Sequence, residues 1–238
     1  HNQNKKDLIK FYNCNKDKIL VQTLIPYLPK ISKKELKFTS KQEEEFIKNL
    51  PNNKKIILYP ASFWAHKNHK YILDSAMLLK QDNINDFYFV MCGADRGVYD
   101  FINQSIKDDN ISDKVCTLPL ISNFCLKSLY EKCFAVIMPT DTGPTNLPLY
   151  EAMFFKKPIF YSKNISDDAK IKEIIIPIDV KDPNSFVAEL KDLNKENILK
   201  KVEIGNDYYK KFCNEEVALN LYINIISEFK AILSLWKK

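Results

Sequence analysis

Between residues 55 and 162 the sequence repeats one unit: a short apolar run, a polar turn, then an amphipathic stretch. The apolar runs fall at 55–60, 87–92, 114–118, 134–138 and 158–162, and each has the length and residue types of a buried strand. Helical patterns lie between them, at 67–80 with Ile72, Leu73, Ala76 and Leu79 on one face, and at 97–107, 122–132 and 147–155. Strands alternating with helices at this spacing demand a parallel sheet covered on both faces. Crossovers in such a sheet are right-handed, and ligands bind outside the carboxyl ends of its strands. The pattern therefore predicts an α/β, Rossmann-like parallel sheet with helices on both faces.

The flanks are plainer. Residues 4–12 read as a helix and 18–25 as a strand, followed by a Pro- and Lys-rich loop to about 39. A charged helix fits 40–49, with Ser40 as its cap and Glu43 completing a capping box. Beyond the repeat come a last apolar run at 173–178 and helices at 183–193, 195–212 and 215–236, a helical C-terminal tail. Leu219, Tyr222, Ile223, Ile226, Phe229 and Leu233 form an apolar stripe along the last of these, and such a stripe is expected to pack on the core. The reading divides the chain into 1–39, packing on the core, and 40–238, the main domain. The chain opens at His1 without a methionine and reads as a piece of a longer protein.

Composition excludes several classes. A net charge of +6 suggests nucleic acid until its source is seen: of 36 basic residues only Arg96 is an arginine, and the lysines are dispersed. No aromatic-basic interleaving accompanies them, so no nucleic-acid partner is expected. The six cysteines include no C-x-x-C pair, and buried free thiols are expected. His66 and His69 have no acidic neighbour, so no metal site is expected. The absence of a signal peptide and of a long apolar span points to a cytoplasmic protein.

Three strand-to-helix loops carry the candidate chemistry. In Tyr59-Pro-Ala-Ser-Phe-Trp-Ala-His-Lys-Asn-His69, Lys67 sits near a helix start, where its charge opposes the dipole. Either it is a solvated lysine or an anion holds it there. In Gly93-Ala-Asp-Arg-Gly97, Asp95 and Arg96 either pair, cap the next helix, or leave Arg96 to grip phosphate. The third stretch, 139–158, follows an apolar strand with turn formers and then Asn146, a suitable N-cap, with Pro148 in the first helical turn. Such a junction gathers free N–H groups at a positive dipole end. Glu151, one turn in, either soothes that dipole or grips a vicinal diol.

Together, Y-P-A-S-F-W-A-H-K-N-H and T-G-P-T-N-L-P-L-Y-E-A-M resemble the nucleotide-sugar-binding half of family-4 retaining glycosyltransferases, across roughly residues 5–235. The resemblance implies one half of a GT-B fold. By position it implies that Lys67 binds the donor diphosphate and that Glu151 holds its ribose, the two residues assigned to catalysis. Ser62, His66, Asn68, Gly93 and Arg96 would also contact the donor, with Arg96 or a backbone cluster as the substitute for a missing phosphate ligand. Thr142, Gly143, Pro144, Thr145, Asn146 and Leu147 would face sugar and phosphate, and the loop with Leu118 and Leu120 would line the base. Two departures stand out: the first glutamate of the family's E-x7-E pair falls on Gly143, and its phosphate-binding arginine falls on Ser62.

The implied reaction is transfer of a hexosyl unit from a nucleoside-diphosphate sugar to an acceptor hydroxyl with retention, in surface polysaccharide or glycolipid synthesis. It calls for no cofactor or metal. The acceptor, a glycan or lipid-linked glycan, would be held by a missing N-terminal domain, so this domain alone is expected to be inactive. The full protein is expected in the cytoplasm, at the inner face of a membrane as a peripheral protein. A non-catalytic nucleotide-sugar-binding or scaffold module of the same fold is the alternative.

Overall fold

The computed structural model describes residues 2–21, 25–26, 28, 31–32, 35–140, 147–164 and 169–236. Its centre is a sheet of six strands, all parallel: β1 (Lys55–Pro60), β2 (Phe87–Cys92), β3 (Val115–Leu118), β4 (Ala135–Met138), β5 (Ile159–Ser162) and β6 (Ile176–Ile178). They lie in the order β3-β2-β1-β4-β5-β6. In β1 and β2 the pairing is continuous from Lys55↔Phe87 to Pro60↔Cys92. β1 meets β4 through Ile57↔Ala135 and Leu58↔Val136.

Successive side chains on a strand point to opposite faces, and the core divides accordingly. Ile56, Leu58, Val90, Cys92, Val136, Met138 and Tyr161 share one cluster with α2 (Lys41–Lys48), α5 (Asn123–Lys132), α6 (Leu147–Phe154), α7 (Ala169–Ile174) and α9 (Lys195–Phe212). Ile57, Tyr59, Phe89, Met91, Ile137 and Phe160 share the other with α3 (His69–Gln81), α4 (Tyr99–Asp108) and α8 (Pro183–Lys191). Both faces are apolar, which is why the strands read as unbroken hydrophobic runs rather than alternating ones.

One consequence places the site. β1 and β4 are neighbours, yet α3 leaves β1 for one face while α6, after β4, covers the other. The two connections diverge and leave a crevice at the strands' carboxyl ends, as doubly wound sheets do at their switch point.

Three expectations need correction. Residues 18–25 form no strand among those described: Lys16–Lys18 is a 3-10 turn, and Leu20 is exposed. An extended apolar segment gains little unless it joins a ladder, and the described residues of this stretch join none. Within the apolar run at 173–178 the first residues close α7 and Ile176–Ile178 form β6.

The stripe on α10 (Glu215–Trp236) is not core. Leu219, Tyr222, Ile223, Ile226 and Phe229 are all exposed, and among the described residues Glu215–Ser234 is long and apolar enough to cross a membrane. The expectation of no such span is thereby corrected. Helical periodicity shows that a face is apolar, not what covers it.

All six cysteines are free thiols, four of them buried. Ser40 caps α2 as expected, its hydroxyl accepting from the Glu43 N–H. The reciprocal half of the capping box is different. The Glu43 carboxylate takes the Thr39 N–H, and also the backbone N–H and hydroxyl of Ser122, the cap of α5.

Candidate functional site

The loop from Ala61 to Asn68 is pinned from below and on both sides. Phe63 is fully buried, and its N–H donates to Ala94 O at 2.9 Å, which bridges this loop to the one after β2. Gly93 makes that approach possible: a Cβ there would stand 2.4 Å from the Ala61 carbonyl oxygen. Beneath the loop, the His69 ring stacks on Phe63 at 4.6 Å and tilts against Tyr59 at 4.9 Å. Its Nε2 donates to Ala61 O at 3.4 Å. Burial pushes the His69 pKa down to about 4, so the ring is neutral at physiological pH.

Asn68 takes the left-handed conformation (φ 55°, ψ 43°), which asparagine tolerates better than most residues. Its side-chain amide donates to Pro139 O at 3.1 Å and Val180 O at 3.0 Å. This one residue ties the β1 loop to the ends of β4 and β6. The Tyr59 hydroxyl donates to Lys67 O at 2.6 Å, which holds the backbone beneath the lysine.

The crevice is a cleft of about 220 Å³, lined by Tyr59, Pro60, Ala61, Ser62, Trp64 and Lys67 on one side. Met138, Thr140, Leu147 and Pro148 line the other. Ligand sites for drug-sized molecules occupy roughly 300–1,000 Å³, so the part of the cleft formed by the described residues is small by that measure. Lys67 is half-buried there, and among the described residues no hydrogen bond or ion pair engages its ammonium. Burial lowers its pKa. A desolvated cation without a partner is a site waiting for an anion.

Glu151 lies one turn into α6 and is 8 % exposed. Its Oε2 accepts from the Tyr130 hydroxyl at 2.7 Å, its one hydrogen bond. Burial raises its pKa, and the Tyr130 bond opposes the rise without cancelling it. A buried carboxylate with one neutral donor keeps acceptor capacity for further hydroxyls.

The other expected residues are dispersed. Ser62 and Leu147 line the cleft with Lys67. His66 is exposed, 6.0 Å from the Trp64 ring. Arg96 is exposed, with its guanidinium 5.7 Å from the Trp64 ring centre. Asp95 takes the capping role left open by the sequence, its Oδ1 accepting from the N–H of Gly97 at 2.8 Å and of Tyr99 at 3.4 Å. Leu118 ends β3, two strands from β1, and Leu120 follows it, 78 % exposed. Thr142, Gly143, Pro144, Thr145 and Asn146 lie outside the described residues. Gly93 and Asn68 have the packing and tying roles described above. Sequence reasoning missed Trp64 and Tyr130 as contributors; a large aromatic inside a polar loop was the available signal for the first. Among the described residues, no three His, Cys, Asp or Glu side chains converge to hold a metal.

The six-stranded switch-point fold matches solved structures closely. A glycosyltransferase from Rickettsia africae superposes with a TM-score of 0.77 at 18% identity, covering 95% of this chain and 61% of its own. Sucrose-phosphate synthase from Thermosynechococcus elongatus gives 0.74 at 17% identity, covering 97% and 57%. HepE of Anabaena, solved with UDP and glucose, gives 0.70 at 12% identity, covering 94% and 60%. Residues 40–207 match the family of glycosyl transferases group 1, and the chain belongs to that family. Among curated proteins, the O-antigen chain mannosyltransferase RfbU of Salmonella typhimurium is 26% identical over 159 residues, covering 66% of this chain. The chain spans 39% of that relative's length.

Proposed function

We propose that this chain is the donor-binding half of a retaining, family-4 glycosyltransferase, and that the cleft between β1 and β4 takes the diphosphate of a nucleoside-diphosphate sugar. One observation carries the reading: Lys67, half-buried and unpartnered, lines the crevice at the switch point. Loss of the nucleoside diphosphate from the sugar develops negative charge on the leaving oxygen. A preorganised cation at that position stabilises the transition state more than the ground state. Glu151 accepts the two ribose hydroxyls with the oxygen capacity that Tyr130 leaves unused. The hexosyl group then passes to an acceptor hydroxyl held by the rest of the protein, in assembly of a surface polysaccharide or glycolipid.

Calorimetric titration with UDP, GDP and the corresponding nucleosides tests this. Tighter binding of a diphosphate than of its nucleoside, weakened by about tenfold or more in Lys67→Ala, is the expected result. A chain that binds neither UDP nor GDP would be a scaffold module, and the reading would fall.

A further inference from the structure

Resting on that reading, we propose that Arg96, carried on the face of Trp64, is the second cation for the donor diphosphate, supplied from the loop after β2. A diphosphate carries more than one negative charge, and Lys67 is the one cation among the described residues that line the cleft. Ser62 contributes no charge to that lining.

The Trp64–Arg96 pair is built by the backbone. Phe63 and Asp95 are bridged in parallel register, so the residues that follow them lie side by side. Phe63 points into the core with no exposure, which turns Trp64 outward to 45 % exposure. Gly93 lets these two loops meet. The guanidinium lies 5.7 Å from the centre of the Trp64 ring, and Trp64 itself lines the cleft. Arg96 therefore neighbours a residue of the cleft's lining without lining the cleft itself.

Its charge is also uncommitted. Asp95, the nearest carboxylate in sequence, accepts from Gly97 and Tyr99 and forms no ion pair with Arg96. Stacking on Trp64 is the only contact that engages the guanidinium among the described residues. Residue choice points the same way. Of 36 basic residues, this is the single arginine in a chain that otherwise uses lysine. Lysine would serve for solubility; a planar guanidinium adds aromatic stacking and two-pronged binding of an oxyanion. The ring holds the fork extended in the ligand-free state, which reduces the entropy lost when phosphate is gripped.

The test compares UDP, GDP, UMP and uridine by calorimetry in wild type, Arg96→Lys, Arg96→Ala, Trp64→Phe and Lys67→Ala, with melting temperatures for each. Arg96→Ala should weaken the bound diphosphate by about tenfold, the size of one charge-assisted contact. Uridine should be unaffected, and the salt dependence of diphosphate binding should become shallower. Arg96→Lys should recover part of the loss and Trp64→Phe most of the affinity. In a Trp236→Phe background, saturating diphosphate should alter the fluorescence of Trp64. Undiminished diphosphate affinity in a folded Arg96→Ala protein overturns the assignment while the donor-site reading stands. Failure of the wild type to bind either diphosphate removes both.

Discussion

Glu43 and Glu151 are each 8 % exposed, yet Glu151 lies deeper among protein atoms and their hydrogen-bond surroundings are opposite. Burial alone would raise the pKa of Glu43, but hydrogen bonds from the Ser122 and Thr39 N–H groups and from side chains hold it below the ordinary value. Glu151 receives one hydroxyl, from Tyr130, and its pKa stays raised by burial. The first carboxylate is saturated and joins α2 to the cap of α5. The second receives a single donor among the described residues and is not itself part of the cleft's lining. The difference separates a group that holds the fold from one that keeps binding capacity in reserve, which residue type and burial alone do not.

Loss of the saturated group should have the largest effect. Glu43→Ala leaves the Thr39 and Ser122 N–H groups without their acceptor, and stability should fall by about 3 kcal/mol, read by urea unfolding, with nucleotide affinity in the folded protein unchanged. A smaller loss than that of Glu151→Ala would break the contrast. Next, Lys67→Ala should weaken UDP or GDP by between about tenfold and a hundredfold while the melting temperature holds or rises, since an unpartnered desolvated cation is removed.

Glu151→Gln should sharpen the contrast further. It keeps a partner for Tyr130 but removes the buried charge, so stability should be unchanged or rise by up to about 1 kcal/mol. Diphosphate affinity should fall about tenfold, and preference for UDP over its 2′,3′-dideoxy analogue should vanish. Full affinity with that preference retained would take the ribose role from Glu151.

The smallest effect is in pH. Glu43 has a lowered folded pKa, so its stabilisation is present above the ordinary value of 4.5 and is lost as pH falls through the lower folded value. Glu151 has a raised folded pKa, so the native state takes up its proton first. Stability is gained as pH falls from that raised value towards 4.5. The advantage of Glu151→Gln over wild type should therefore shrink on acidification towards 4.5, whereas the deficit of Glu43→Gln should shrink only below it. Parallel curves for the two variants would show that the carboxylates are equivalent after all.

Where the sequence failed, the reasons are local. The six residues of α7 run straight into the apolar β6, and no turn former separates them. Residues 18–25 carry a strand's composition, but those of them that are described join no ladder. Asn68 reads as a motif residue, and nothing in the sequence signals that its amide also reaches Pro139 and Val180, 71 and 112 residues away. No periodicity within a loop announces contacts at that range. The Glu43–Ser122 junction, 79 residues apart, was hidden in the same way behind an ordinary capping box.

The sequence by itself determined the βα alternation, the strands of the central repeat, and the loops in which chemistry would gather. These follow from hydrophobic periods and turn residues, which act over a few positions. Only the tertiary structure decided that β1 and β4 are neighbours with their helices on opposite faces, so that Lys67 and Leu147 line one cleft. It alone left Glu151 one donor where Glu43 has several, put Arg96 on Trp64, and kept α10 off the core. Each of these depends on which segments meet, because desolvation and hydrogen-bond satisfaction are set by neighbours in space rather than in the chain.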